Sequence, residues 1–144
     1  GYDFSVFMQG VARTSFFINP NDISPFVNER NALDVIADNH WSINNPDPNA
    51  FWPRLSTYSI ANNEQQSTWW QRDGDFLRLK NIEVGYTFPD RSSGLFAGLN
   101  TRIYFTGLNL LTFSKFDLWD TEMGGNGLGY PPQKVYNIGL QVNF

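Results

Sequence analysis

Residues 133–144 constrain the fold more than any other stretch. They read Gln-Lys-Val-Tyr-Asn-Ile-Gly-Leu-Gln-Val-Asn-Phe, so Tyr136, Ile138, Leu140, Val142 and Phe144 alternate with Val135, Asn137, Gly139, Gln141 and Asn143. Successive side chains on a strand point to opposite faces, so a strand here carries one wholly apolar face and one nearly all polar or small. The stretch stops on its apolar face, at an aromatic. A strand of a soluble sandwich shows the same alternation, and that alternative stands at this point.

Three more stretches alternate. Tyr2, Phe4, Val6 and Met8 oppose Asp3, Ser5, Phe7 and Gln9. In residues 76–88, Ile82, Val84, Tyr86 and Phe88 oppose Glu83, Gly85 and Thr87. Leu77 and Leu79 fall by parity on the Glu83 side, so a lipid-type face is expected over only half of that strand. In residues 101–112, Ile103 and Phe105 oppose Arg102, Tyr104 and Thr106, and the pattern blurs at Leu108-Asn109-Leu110-Leu111. Strands are therefore expected at about 1–12, 76–88, 101–112 and 133–144. Loops are expected at about 13–75 and 113–132, and a turn at about 89–100, opening with Pro89-Asp90-Arg91-Ser92-Ser93-Gly94. Every proline falls in a loop or turn, as a hydrogen-bonded sheet demands.

Loop lengths then set the topology. Both sizeable loops lie on one side of the sheet and the short turn on the other, the arrangement of outer-membrane barrels with long extracellular loops and short periplasmic turns. Four strands do not close a barrel, and an open sheet in lipid leaves unpaired edges. The expectation is an all-β chain: the C-terminal four antiparallel strands of a large transmembrane β-barrel, cut at Gly1 from something longer.

Composition agrees with this class. Charged residues are 17% of the chain and aromatics 17%, with 13 phenylalanines. No run of about 18 apolar residues occurs, so no transmembrane helix is expected, whereas a membrane strand needs only about 9–11 residues. The net charge of -4 arises in residues 13–75, and there is no basic patch, so no nucleic-acid partner is expected. Cysteine is absent, which removes disulfides and thiolate metal sites.

Residues 13–75 hold five of the eight prolines and four of the five tryptophans. Ser24-Pro25 reads as a cap and first helical position, predicting a short helix near 26–38. An ordered loop of this length is usually functional, and its aromatics need something to pack against. Trp41, Trp52, Trp69, Trp70 and Trp119 are candidate contacts to a partner or substrate; packing within the loop is the rival role. His40 alone makes no metal site. Asp117, Asp120 and Glu122 could supply oxygen ligands to calcium, but their spacing is not that of an EF-hand loop and a solvated loop is the favoured reading. Asp73 and Asp75 beside Arg72 are a weak glycosidase pair. The glycines at 124–129 precede no Gly-Lys-Ser/Thr and make no phosphate loop. The expectation is no enzyme, no catalytic residue, no metal and no cofactor.

Several stretches resemble one family. Asp73 to Pro89 resembles the DGSYLRLKNIxLGYTxP run of SusC/RagA-type TonB-dependent outer-membrane transporters. Arg102 to Thr112 is similar to that family's RxYxxGxNLxT strand, and Asp120 to Pro131 to its DPExGGxxxGYPxP loop. Trp41, Asn45-Pro46, Asn49-Ala50 and Pro53-Arg54-Leu55 resemble WTxENPNAxxPRL. Separately, Asn137, Gly139, Val142 and Phe144 resemble the C-terminal assembly signal of outer-membrane barrels, read by the barrel assembly machinery.

The family resemblance implies a 22-stranded barrel with an internal plug in the outer membrane of a Gram-negative bacterium. It implies import of oligosaccharides or peptides, energised by the TonB-ExbB-ExbD complex through a part outside this chain. It also implies a SusD-like lipoprotein lid over the extracellular loops. Asp3, Gln9, Glu83, Arg102 and Asn137 would then face the lumen. A secreted all-β carbohydrate-binding module is the alternative, and a fragment of a β-rich glycoside hydrolase the third reading.

Overall fold

The structure, a computed structural model, describes residues 1–89 and 98–143. Four long strands, β1 (Tyr2–Val11), β4 (Phe76–Thr87), β5 (Asn100–Ser114) and β6 (Val135–Asn143), form one antiparallel sheet in the order β1-β4-β5-β6. Two short strands, β2 (Ser15–Phe17) and β3 (Gln71–Asp73), pair separately. The chain divides into two units: Gly1–Thr14, Gly74–Asp117 and Pro131–Phe144 carry the large sheet, and Ser15–Asp73 with Leu118–Tyr130 form the second unit. Most of the expected turn at 89–100, and Phe144, lie outside the described residues.

The register of the sheet sorts its side chains cleanly, because residues directly opposite each other share a face. One row runs Phe4, Val84, Phe105, Ile138 and the next Tyr2, Tyr86, Ile103, Leu140. Large members of this face are exposed in every strand, Ile138 at 79% and Phe4 at 65%. At one end the rings of Tyr2, Tyr86 and Phe88 gather, with centroids 4.7 Å and 5.0 Å apart in turn. The opposite face carries Asp3, Gly85 and Tyr104 in one row and Ser5, Glu83, Thr106 and Asn137 in the next.

One expectation is overturned. Parity had placed Leu77 and Leu79 with Glu83. Instead Val6 lies opposite Ile82 and Met8 opposite Leu79, which leaves Lys80 as an extra residue in β4. Such a bulge shifts the alternation of its strand by one. Leu77 and Leu79 therefore join Ile82, Val84 and Tyr86, and the apolar face runs the whole length of β4. The blurred stretch of β5 is the other half of the same irregularity. Leu108 pairs Asn81 and Leu111 pairs Leu79, so Asn109 and Leu110 stand opposite Lys80. Asn109 takes the left-handed conformation there, with φ 52°. Two extra residues preserve parity, so Leu111 and Phe113 stay on the apolar face, 52% and 60% exposed.

Among the described residues, β1 and β6 each pair on one side only. A row of unpaired amides and carbonyls is prohibitive in hydrocarbon, so a sheet with this apolar face must continue on both sides. The fold is that of part of a β-barrel.

The second unit is built like a small water-soluble domain. Ile18, Ile23, Ile36, Ala50, Phe51, Trp52 and Trp70 are buried in it. Ile18 N donates to Trp70 O at 2.9 Å, beside the β2–β3 pair, and Asn19 N donates to Gly125 O at 3.0 Å. The helix expected at 26–38 is displaced. Asn19-Pro20 carries the cap-and-proline signature in fact: α1 (Pro20–Ile23) starts there, with Asn19 Oδ1 accepting from Asn21 N at 3.3 Å, and Ser24 closes it. Phe26 at φ 62° is left-handed and stops any continuation. Beyond a 3-10 turn at Val27–Glu29 that contains the left-handed Asn28, only the end of the expected span is α-helical, as α2 (Asp34–Asp38). A third helix, α3 (Ala61–Glu64), precedes Trp69 and Trp70.

Candidate functional site

The polar face of the sheet holds a connected set of side chains from all four strands. Arg102 on β5 reaches Glu83 on β4 and, beyond it, Asp3 on β1: its guanidinium donates to the Asp3 carboxylate, through Nε at 3.2 Å and through Nη2, and to Glu83 Oε1 at 2.6 Å. Gly85 makes this bridge possible, because a Cβ there would overlap the Arg102 guanidinium and both Asp3 carboxylate oxygens. The same guanidinium lies 5.0 Å from the Tyr104 ring centroid. Tyr104 in turn lies over Gly139, where a Cβ would collide with the ring. Thus Gly139, read in the sequence as part of an assembly motif, is also the slot for a cross-strand aromatic. Asn137 Nδ2 approaches Thr106 Oγ1 at 3.4 Å one step along. Of the five residues expected on this face, Asp3, Glu83 and Arg102 are in contact. Gln9 and Asn137 share the face by register, Gln9 opposite the buried Arg78. Gly85 and Tyr104 were not singled out in the sequence; glycine inside a strand was the available signal for Gly85.

In the second unit the tryptophans divide into two groups. Trp52 and Trp70 are 4% and 1% exposed, with ring centroids 5.1 Å apart, and Trp70 Nε1 donates to Asn63 O at 3.0 Å. These two supply the unit's own core. Trp41, Trp69 and Trp119 are half-buried. Trp69 Nε1 donates to Phe51 O at 3.3 Å and Trp119 Nε1 to Gly124 O at 2.8 Å, while Gly127 leaves room for the Trp119 ring. Arg72 donates to Trp69 O at 2.6 Å and lies 5.7 Å from the Phe51 ring centroid; burial lowers its pKa from the ordinary guanidinium value.

The weaker sequence candidates have local jobs. His40 Nδ1 lies 2.9 Å from Ala37 O and 3.2 Å from Ile36 O, closing the end of α2. Asp120 Oδ1 accepts from Glu122 N at 3.0 Å and caps a 3-10 turn. Asp75 Oδ1 accepts from Thr14 N at 2.9 Å. Among the described residues no three His, Asp or Glu side chains converge as a metal site.

A crevice lies between Ser24 and Glu64, and beside it a cavity of about 390 Å³ lined by Phe26, Arg54, Ser56, Tyr58 and Ile60. Neither Arg54 nor Tyr58 had drawn attention in the sequence as a site residue.

No family model matches the chain. It is 28% identical over 163 aligned positions to TonB-dependent receptor P26 of Formosa agariphila, covering 99% of this chain and 15% of that protein. It is 33% identical over 87 positions to TonB-dependent receptor P3 of the same organism, covering 50% of this chain and 9% of that protein. The chain thus spans a small part of the relatives it matches. Among solved structures it superposes over its whole length on 16% of a chain of the RagAB peptide transporter, with TM-score 0.70 at 24% identity. The RagAB peptide importer in its open-open state gives TM-score 0.69 at 23% identity, again over 100% of this chain and 16% of that one. At these identities the structural likeness speaks for the fold.

Proposed function

We propose that the chain is part of the barrel of a SusC/RagA-type TonB-dependent transporter, and that it supplies a wall segment and an extracellular recognition unit for nutrient import across the outer membrane of a Gram-negative bacterium. One observation carries the reading: the apolar face is continuous across four strands and exposed along its length, while the opposite face is polar and internally bridged. Lipid on one side and an aqueous lumen on the other satisfy both faces. A soluble carbohydrate-binding module would leave the apolar face against water. The role is transport and not enzymatic.

In this reading Asp3, Gln9, Glu83, Arg102 and Asn137 face the lumen. Tyr2, Tyr86 and Phe88 sit at one membrane interface, where aromatic girdles belong. Residues 13–75 and 113–132 lie outside the cell and meet a SusD-like lipoprotein lid or the cargo, an oligosaccharide or peptide. Trp41, Trp69 and Trp119 offer contact edges, and Trp52 and Trp70 hold the unit's shape. Asn137, Gly139, Val142 and Phe144 serve the barrel assembly machinery. Energy comes from the TonB-ExbB-ExbD complex acting on the whole protein. The test is to probe fractionated cell envelopes with an antibody to residues 133–144. An outer-membrane band whose gel mobility changes on heating is expected; recovery of the antigen in the soluble fraction, with no heat shift, overturns the reading.

A further inference from the structure

We propose that the loop unit binds a carboxylate-bearing ligand with an apolar or CH-rich body, held between Phe26 and Tyr58 with its carboxylate on Arg54. This rests on the transporter reading and names the class of cargo taken at that unit. The cavity of about 390 Å³ lined by these residues with Ser56 and Ile60 is within the size range of small-ligand sites. Phe26 is 43% and Tyr58 73% exposed, so both rings are open to a ligand. Arg54 is exposed, and its guanidinium has no hydrogen-bond or ion-pair partner among the described residues. A guanidinium presents a planar fork of donors that matches a carboxylate. Ring faces beside it take the apolar part of the same molecule. A peptide C-terminus and a uronic-acid sugar both present that chemistry.

Both aromatic walls are held in place by the fold. Phe26, Asn28 and Glu29 are all left-handed, with φ of 62°, 54° and 62°. None is glycine, and strain of this kind persists only where the surroundings impose it, most often at ligand sites. Here Arg30 imposes it, donating from Nη1 to Asn21 O at 2.6 Å and Asp22 O at 3.2 Å, back onto α1. The second wall turns at Ser56, whose Oγ accepts from Tyr58 N at 3.1 Å. Glu64 joins the two walls: Oε1 accepts from Ser24 Oγ at 3.1 Å and Oε2 from Ser59 Oγ at 2.6 Å. Ser24 is two residues from Phe26, and Ser59 adjoins Tyr58. Glu64 is therefore a positioning residue, each of its oxygens already accepting from a serine hydroxyl, and Arg54 is the group left to meet a ligand.

The test uses the whole transporter purified in detergent and titrated calorimetrically with four probes: trileucine, trileucine amide, a trigalacturonate and its fully methyl-esterified form. One carboxylate probe is expected to bind about tenfold more tightly than its neutral counterpart, the size of one charge-assisted hydrogen bond at an open site. Arg54→Gln should remove that advantage and leave the neutral probes unchanged. Dependence in the leucine pair assigns a peptide terminus, and in the sugar pair an acidic saccharide. Glu64→Ala should weaken charged and neutral probes alike, since it loosens both rings. Equal binding of charged and neutral probes, or indifference of every probe to Arg54→Gln, overturns the site. Heat-shifted gel mobility of the Arg54→Gln protein in the outer membrane reports on the transporter reading separately.

Discussion

The bulge at Lys80 makes a prediction that simple alternation reverses. Leu79→Arg places a charge on the face that carries Met8, Ile82 and Leu111. Ile82 is the middle one of the five apolar positions Leu77, Leu79, Ile82, Val84 and Tyr86. Leu79 is two ladder steps from it, since Lys80 is bulged out. At about 3.3 Å per residue and a tilt of about 40°, that is about 5 Å along the membrane normal, inside an apolar band about 25 Å tall. An arginine so near the midplane costs about 2 kcal/mol or more, about thirtyfold in the ratio of folded to unfolded barrel. The control is Thr106→Arg, between Glu83 and Asn137 on the polar face, which should cost less than about 0.5 kcal/mol. Urea titration of the whole transporter in lipid vesicles, with the heat-shifted gel band as the folded signal, separates the two. Equal midpoints for the two variants would refute the bulged register and return Leu79 to the side of Glu83.

Deleting Lys80 should remove the bulge and leave Leu77 and Leu79 on the apolar face of a regular strand, so the heat-shifted band should persist; loss of that band would count against the bulged register. Gly139→Val should displace the Tyr104 ring that lies over it and lower folded yield more than Asn143→Val does, by side-by-side refolding. Trp70→Ala removes a side chain 1% exposed and should cost the loop unit about 3–5 kcal/mol. Limited proteolysis should then cut within residues 41–72 while the barrel band still shifts on heating, and loss of both together would count against separate folding of the two units.

Much of the sheet was legible in the sequence because period-two alternation is a strong signal and no proline interrupts it. Its failure at Leu77 and Leu79 has a single cause. A bulge is a property of pairing, visible only when β1 and β5 are laid beside β4, and Lys80 carries no local mark of it. The loop unit was less legible. Two cap-and-proline signatures, Asn19-Pro20 and Ser24-Pro25, lie five residues apart, and the choice between them was settled by Arg30 returning to the α1 carbonyls. The polar residues of the sheet were readable as a group. Which of them touch was not, since Arg102 meets Asp3 across 99 residues of sequence. Glu64 and Arg54 were invisible as a pair, because one acts through serines and the other by having no partner.

In the proposed transporter the two units answer to different solvents, and this decides where specificity would reside. On the sheet, lipid would require the outer face to be apolar, so that face would discriminate nothing. The inner face is constrained as well: a side chain at Gly85 displaces the Arg102–Asp3 bridge and one at Gly139 displaces the Tyr104 ring. The loop unit has its own core in Ile18, Ile36, Trp52 and Trp70, so its surface is released from folding duty. Residues such as Phe26, Arg54 and Tyr58 can then change with little loss of stability, as exposed positions usually do. Cargo choice in proteins built this way should follow exchanges at those positions and not exchanges in the strands.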